Sequence, residues 1–182
     1  MLTERVAIYI DGSNLYHSLK NEFSRTDLDF EKFCNKLLGG RHLVRIYYYN
    51  VPYVPYSIDQ TKDLGRYKDQ QKFFLRMRRL PYLEMRLGRL IYRNWPDEPP
   101  YEKGIDVKLA TDMLVHGFQG NYDVIILVSG DSDFVDALQA IKDKGKHVEI
   151  ALFGPVWTSQ HLRDVADKVI TLDADFLLQC WK

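Results

Sequence analysis

Hydrophobic and polar residues alternate along the chain in blocks that predict strands and helices. Short continuous apolar runs predict strands buried on both faces, and they occupy residues 6–10, 42–51, 124–128, 148–153 and 169–172. Apolar residues at intervals of three and four predict helices near residues 15–23, 30–38, 59–80, 106–117, 134–144 and 162–165, with a last turn at 176–177. Strands that alternate with helices predict an α/β fold with a mostly parallel, doubly wound sheet.

The segment between residues 59 and 101 departs from this simple alternation. At 100° per residue, the helix at 59–80 has one buried arc, made of Tyr67, Phe73, Phe74, Met77 and Leu80. A second arc carries a basic stripe, made of Lys68, Lys72, Arg76 and Arg79. Apolar and polar residues alternate over residues 83–87, which predicts a strand. Gly88 shifts the phase of this alternation, which predicts a bulge or bend. Residues 94–101 are predicted as a loop.

Carboxylates recur where predicted strands end. Asp11 ends the first strand, Asp131 and Asp133 follow the run at 124–128, and Asp106 opens the helix that precedes this run. Ligands of open α/β sheets bind at the carboxyl edge of the strands. If the first and central strands are neighbours, their loops flank one crevice and Asp106 reaches it.

Clustered carboxylates indicate a cation site. They raise each other's pKa unless a cation neutralises them, and all-oxygen sites suit Mg²⁺ or Mn²⁺ rather than zinc. Such ions activate water and stabilise displacement at phosphorus. Asp, Ser and Asn are also the commonest helix N-caps, so each residue alone is more often a cap; their convergence on one edge favours the ion site.

Charge is balanced overall but segregated along the chain. The net charge is zero, with 46% hydrophobic and 27% charged residues. Residues 59–93 contain ten Lys or Arg against four Asp or Glu, whereas residues 97–175 contain seven against fifteen. A basic segment beside an acidic one fits a metal site with an anionic substrate. Chance segregation onto solvated faces stays equally open.

Other features narrow the class of protein. No apolar run approaches 18 residues, so no membrane partner is expected, and residues 6–10 are too short for a signal peptide. Cys34 and Cys180 are interpreted as free thiols, which favours the cytoplasm. The five histidines form no ligand spacing, and dinucleotide and P-loop motifs are absent. We expect one domain over residues 1–182; a homo-oligomer stays open.

Three ordered motifs carry a family resemblance. They are Ile10-Asp11-Gly12-Ser13-Asn14-Leu15, Lys103-Gly104-Ile105-Asp106-Val107 with Asp112 further on, and Val128-Ser129-Gly130-Asp131-Ser132-Asp133-Phe134. Together they resemble the NYN family of the PIN-like nuclease superfamily, and its bacterial LabA-like branch in particular. Leu87-Gly88-Arg89-Leu90 and residues 162–167 are similar to that branch too, so the resemblance covers nearly the whole chain.

The resemblance implies a fold and a set of site residues. The fold is a PIN-like α/β/α sandwich with strand order 3-2-1-4-5. A ribonuclease site with Mg²⁺ or Mn²⁺ is implied at Asp11, Asp106, Asp131 and Asp133. Asn14 and Ser129 would support these ligands or touch the scissile phosphate, and Ser13 and Lys103 are further candidate substrate contacts. Asp112 lies on a different helix face and would hold Lys103 or a backbone group.

The sequence therefore predicts a nuclease acting on RNA, expected to be single-stranded. The basic stripe, with Arg86, Arg89 and Arg93, would follow the phosphate backbone, and Tyr82, Tyr92 and Trp95 would stack on bases. One alternative is a regulatory RNA- or protein-binding module with a weak or inactive site. A phosphatase for small phosphoesters is weaker, because its Asp-x-Asp would end the first strand, where this chain has Asp-Gly-Ser-Asn.

Overall fold

Most apolar runs of the sequence form parallel strands of a single sheet. The computed structural model describes residues 3–53, 60–93, 97–98, 100–154 and 159–182. In chain order the strands are β1 (Arg5–Asp11), β2 (His42–Asn50), β3 (Leu83–Leu87), β4 (Arg89–Ile91), β5 (Tyr101–Lys103), β6 (Val124–Val128), β7 (His147–Leu152) and β8 (Lys168–Thr171). Within the described residues, six of them form a parallel sheet in the order β3-β2-β1-β6-β7-β8.

This topology confirms the predicted architecture. Counted in chain order within the described part of the sheet, the strands run 3-2-1-4-5-6, which is the predicted order with one more strand at the edge. β1 and β6 are direct neighbours, with Ile10 opposite Val128. Chain order reverses between these two strands, so they form the switch point at which α/β sheets bind ligands.

Helices cover both faces of the sheet. They are α1 (Gly12–Phe23), α2 (Phe30–Leu38), α3 (Gln60–Met77), α4 (Ile105–Phe118), α5 (Val135–Asp143), α6 (Gln160–Val165) and α7 (Ala174–Leu177), and a 3₁₀ turn (Ser132–Phe134) precedes α5. Asp29 caps α2 by accepting from the Lys32 N–H, and Asp173 caps α7 by accepting from the Phe176 N–H.

Two apolar layers separate the helices from the sheet. Ile8 of β1 packs into one layer with residues of α1 and α2, whereas its neighbour Tyr9 packs into the other with residues of α4 and α5. Successive strand residues point to opposite faces, and both faces are buried. That is why the strands appear in the sequence as continuous apolar runs.

The region around β4 and β5 departs from the prediction. Tyr101 belongs to strand β5, which pairs antiparallel with β4, so the predicted loop at 94–101 ends one residue too late. The prediction of a bend at Gly88 is confirmed, because the sheet strand β3 ends at Leu87 and the hairpin begins at Arg89. Three-residue strands are too short for a visible alternation, which explains why β5 was missed.

The long helix α3 is shorter than predicted and has a narrower buried face. It ends at Met77, three residues before the predicted end, and Asp59 lies outside the described residues. Phe74 and Met77 are buried as predicted, but Tyr67 is 36% exposed, so its placement on the buried arc was wrong. No helix among the described residues is long and apolar enough to cross a membrane.

Candidate active site

Asp11 lies at the centre of the site, where β1 ends and α1 begins. Its carboxylate oxygen Oδ1 accepts a hydrogen bond from the Asn14 N–H at 3.0 Å, which caps α1, and Oδ2 accepts from the Ser129 hydroxyl at 3.0 Å. Asp11 is only 9% exposed. The two donors fix its orientation while each oxygen keeps a further lone pair, so capping a helix and binding a cation are compatible roles.

Hydrogen bonds join the loop after β1 to the loop after β6. The Gly130 N–H donates to Asn14 Oδ1 at 3.0 Å, and the Asp131 N–H donates to the Ser129 hydroxyl oxygen at 3.2 Å. Ser159 adds a bond from its hydroxyl to the Gly130 carbonyl at 2.7 Å. Asn14 and Ser129 therefore position the two loops against each other.

Gly12 is required by the close approach of α1 to β2. A Cβ atom at this position would collide with the ring of Tyr48 and lie 2.6 Å from the Tyr49 carbonyl oxygen. At Gly130 the nearest atom to such a Cβ would be the Ser159 Oγ, at an ordinary contact distance of 3.6 Å. Only the first of these two motif glycines is thus fixed by packing.

The predicted acidic residues share one electrostatic environment. Burial raises the pKa of Asp11, the Asn14 and Ser129 hydrogen bonds oppose this shift, and Asp131 adds to it. Partial burial also raises the pKa of Asp106, followed by the negative charges of Asp11, Asp131 and Asp133. The structure thus brings together carboxylates from β1, from the start of α4 and from the loop after β6.

Asp131 and Asp133 have different surroundings. Asp131 is partly buried and caps the 3₁₀ turn by accepting from the Asp133 N–H at 2.9 Å. Asp133 is exposed, and its negative charge contributes to the raised pKa of Asp106. The capping role considered for Asp131 is therefore present, and it coexists with membership of the acidic group.

Glu102 is a fifth carboxylate that the sequence reasoning missed. Desolvation raises its pKa, as do the charges of Asp11 and Asp106, whereas His17 and a hydrogen bond with Ser13 lower it. β5 has no recognisable sequence pattern, so nothing pointed to Glu102. His17 could have been predicted as a neighbour of the site, because it lies four residues after Ser13 and on the same face of α1.

The donor set fits a hard divalent cation. Apart from His17 beside Glu102, the ion pairs of the described residues supply no basic partner for the five carboxylates. Oxygen-only donors with uncompensated charge suit Mg²⁺ or Mn²⁺. As the side chains stand, however, no three His, Cys, Asp or Glu residues in the described ranges are close enough to hold one ion.

The basic stripe predicted on α3 lies outside the lining of the cleft next to the acidic group. Lys68, Lys72, Arg76 and Arg79 are all exposed. The residues of α3 that line the cleft beside α1 include Arg66, Gln70 and Phe73. At 100° per residue the centres of the two sets lie about 130° apart around the helix axis, and Arg79 follows the end of α3. Lys72 pairs with the cleft residue Asp69 at 3.6 Å.

Two other predicted cations lie opposite each other in the β4–β5 hairpin. Arg89 pairs in register with Lys103, and both side chains are exposed. Like charges at directly opposite positions destabilise an antiparallel pair, so an anion bound between them would relieve their repulsion. The next pair, Leu90 and Glu102, lines the cleft.

Asp112 has a different role from the one expected. The hydroxyl of Tyr49 donates to Asp112 Oδ2 at 2.8 Å, and Arg86 Nε lies 3.8 Å from the same oxygen. The expectation that Asp112 holds Lys103 or a backbone group was wrong. Arg86 is also paired with Glu84 at 2.7 Å, so two carboxylates already engage this cation.

The tyrosines predicted to stack on bases do not line the cleft. Tyr82 is 63% exposed, Tyr92 is 37% exposed, and Trp95 lies outside the described residues. The cleft instead contains Tyr16, Tyr48 and Tyr53. Cys34 and Cys180 are free, as predicted, and the structure shows that both are buried.

Fold and site together define a class of protein. A parallel sheet in this order, with carboxylates after its two central strands, is consistent with a PIN-like α/β/α sandwich. The NYN domain model matches residues 5–173, nearly the whole chain, and the chain belongs to the NYN family. This confirms the family resemblance of the three motifs; the LabA-like branch stays a prediction.

Similar proteins extend the comparison. A protein of unknown function from Vibrio parahaemolyticus RIMD 2210633, VPA0982, has a crystal structure with a TM-score of 0.71, 25% identity and 96% coverage of both chains. The uncharacterized protein MJ0482 of Methanocaldococcus jannaschii is 34% identical over 82 residues, or 44% of this chain. The matched segment spans 34% of the length of MJ0482.

The family places the chain in a nuclease superfamily. PIN-like nucleases of the NYN family generally use divalent metal ions and act on RNA. These are properties of the family, and the acidic group of this chain lies where such chemistry would occur, at the carboxyl edge of β1 and β6.

Proposed function

We propose that this protein is a metal-dependent ribonuclease, with residues 1–182 acting as one domain. The observation that carries the proposal is the group of five carboxylates that share one electrostatic environment: Asp11, Glu102, Asp106, Asp131 and Asp133. A protein gains no stability from such mutual repulsion, so a bound cation is its simplest explanation. The free buried thiols are consistent with a reducing compartment such as the cytoplasm.

Asp11, Asp106, Asp131 and Asp133 would hold Mg²⁺ or Mn²⁺. When bound, the ion supplies an activated water and stabilises negative charge at phosphorus. Asn14 and Ser129 keep the β1 and β6 loops in register, so Asp11 and Asp131 approach the ion from fixed positions. Ser13 lies beside Asp11 at the cleft and is a candidate phosphate contact.

Single-stranded RNA would pass the acidic group and continue over the outer face of the β4–β5 hairpin, because Arg89 and Lys103 point away from the face that brings Glu102 to the cleft. Arg89 and Lys103 form an exposed pair of like charges, which supports a contact with the phosphate backbone. Arg66 lines the cleft from the side of α3 and offers another positive charge. The basic stripe of α3, outside the cleft lining, stays a predicted RNA contact from the sequence.

A regulatory RNA-binding module is the second candidate function. One observation favours it: as the side chains stand, no three potential ligands among the described residues converge on a point. In that case Asp11 and Asp131 serve only as helix caps. RNA would then bind without being cleaved.

Cleavage of a labelled single-stranded RNA distinguishes the two candidates. We expect cleavage with Mg²⁺ or Mn²⁺, none in excess EDTA, and recovery when the ion is restored. A matched duplex RNA should be cut more slowly. Undiminished cleavage in EDTA would contradict the metal mechanism, whereas RNA binding without cleavage under any ion would favour the regulatory module.

A further inference from the structure

A cavity between α1 and α3 adjoins the acidic group. Its volume is about 530 Å³, which falls in the range of about 300–1,000 Å³ common for small-molecule sites. Gly12, Ser13 and Glu102 lie on its wall, and Gly12 follows Asp11 directly in the chain. A ligand that occupies this cavity, here called the α1–α3 cavity, would therefore sit next to the proposed point of cleavage.

The walls of the α1–α3 cavity are largely aromatic and apolar. Phe30, Tyr48 and Phe73 form a packed group with edge-to-face or tilted rings whose centroids are 5.5–5.8 Å apart. Leu90 closes the side nearest the hairpin. At the rim, Tyr16 is 44% exposed, and its ring contacts the His17 ring edge-to-face with centroids 5.4 Å apart. Flat rings of this kind suit a planar aromatic ligand.

Two amides on the wall supply one donor and one acceptor. The Gln70 carbonyl oxygen accepts from the Tyr53 N–H at 2.6 Å, which leaves its NH₂ group to donate elsewhere. The NH₂ group of Asn50 donates to the Tyr48 hydroxyl at 2.8 Å, which leaves its carbonyl oxygen as an acceptor. Such a donor and acceptor can read the hydrogen-bonding edge of a nucleobase.

The charges around the cavity favour a neutral ligand inside it. Glu102 and Asp69 are carboxylates on the cavity wall, so their negative charges would repel a phosphate group inside the cavity. Arg66 stands at the same wall with its guanidinium carbon 5.0 Å from the centroid of the Tyr53 ring. A nucleotide would thus place its uncharged base inside and its phosphate toward the cations.

We propose that the α1–α3 cavity binds the nucleobase of the nucleotide next to the scissile phosphate, with Tyr16 stacking on the base. This inference rests on the proposed ribonuclease function for its position relative to the cleaved bond. The binding of a base in the cavity requires neither metal nor cleavage. The cavity would then hold the RNA in register and set a preference for the base beside the cut.

Free nucleosides test the cavity separately from catalysis. Binding of adenosine, guanosine, cytidine and uridine to the full chain in EDTA can be compared with that of ribose by ligand-observed NMR. We expect at least one nucleoside to bind more tightly than ribose. Tyr16→Ala should weaken this binding about 5- to 150-fold, the range for loss of one base–aromatic stack, and Tyr16→Phe should retain it.

Tyr67→Ala is the matched control, because Tyr67 is a partly exposed tyrosine of α3 outside the cavity. It should bind nucleosides like the wild type. A second arm uses single-stranded RNAs in which one base at a time is removed. Wild-type affinity for RNA should fall when the removed base is the one next to the cleaved bond. In Tyr16→Ala, removal of that base should make no difference.

The outcomes separate this inference from the proposed function. If nucleosides bind in a manner that depends on Tyr16 but the protein cleaves no RNA, base binding in the cavity is supported and the proposed ribonuclease activity is contradicted. Metal-dependent cleavage with nucleosides bound no better than ribose would overturn the cavity and leave the ribonuclease standing. Equal effects of Tyr16→Ala and Tyr67→Ala would likewise overturn the cavity.

Discussion

At the residue scale, the site is built from side chains that have two roles each. Asp11 caps α1 and contributes charge to the acidic group, and Asp131 does the same for the turn after β6. Asn14 and Ser129 hold these two carboxylates by joining the loops that carry them. A substitution here can change stability and activity in different directions, so the two must be measured separately.

Gly12→Ala is expected to lower both stability and activity. The added methyl group would collide with Tyr48 and the Tyr49 carbonyl. Overpacking of this kind costs about 1–3 kcal/mol, and α1 would shift together with Asp11. Gly130→Ala, the control, has room for its methyl group and should change the free energy of unfolding by less than about 0.5 kcal/mol. Equal melting temperatures for the two variants would contradict the packing argument.

Glu102→Gln is expected to stabilise the metal-free protein at neutral pH. The pKa of Glu102 is raised in the folded state, so its stabilising contribution is complete below its unfolded pKa and is lost as pH rises through the folded value. Removing the charge should raise the melting temperature in EDTA by up to about 2–4 °C at pH 7, and the difference should fade toward pH 4. A lower melting temperature at pH 7 would contradict the electrostatic description of Glu102.

At the element scale, α1, α3 and the β4–β5 hairpin all contribute to the walls of the cleft. The hairpin presents Glu102 to the cleft and pairs Arg89 with Lys103 at the neighbouring position. α3 contributes Arg66 to the cleft wall, whereas the basic stripe lies outside the cleft lining. Helical periodicity predicted the buried positions of Phe74 and Met77, but it carried no information about where the acidic group lies around the helix axis.

Charge reversal decides between the hairpin and the basic stripe as the contact for RNA. Arg89→Glu with Lys103→Glu removes two phosphate contacts, and the log–log slope of RNA affinity against salt should flatten by about 1.4. Lys72→Glu with Arg76→Glu makes the same charge change on α3 outside the cleft lining and should leave the slope nearly unaltered. If only Lys72→Glu with Arg76→Glu flattens the salt slope, the basic stripe and not the hairpin is the contact for RNA.

At the scale of the whole molecule, the sequence was most informative where a pattern was long or repeated. β6 was predicted residue for residue, because five consecutive apolar residues end at Ser129-Gly130. The neighbouring positions of Asp11, Asp106 and Asp131 followed from the topology. Glu102 and the partner of Asp112 could not be predicted, since both depend on the packing of β3 and the hairpin against α4 and β2.

Metal binding should stabilise the whole fold in a pH-dependent way. An ion that binds only the folded state adds about 2.7 kcal/mol at one hundred times its dissociation constant, or about 5–10 °C in melting temperature for a chain of this size. The raised pKa values of Asp11 and Asp106 mean that protons compete with the ion as pH falls. The shift caused by Mn²⁺ should therefore shrink from pH 7 to pH 4. A constant shift would indicate that the ion binds elsewhere.

Asp131→Asn tests whether the acidic group is a metal-dependent catalytic site, when one preparation is measured for cleavage in Mn²⁺ and for RNA affinity and melting temperature in EDTA. Asn retains the shape and the capping ability of Asp, so we expect cleavage to fall by orders of magnitude while affinity and stability in EDTA hold or rise. Asp136→Asn, at an exposed position of α5, should leave all three unchanged. Retained cleavage in Asp131→Asn would contradict the assignment of the acidic group as a metal-dependent catalytic site.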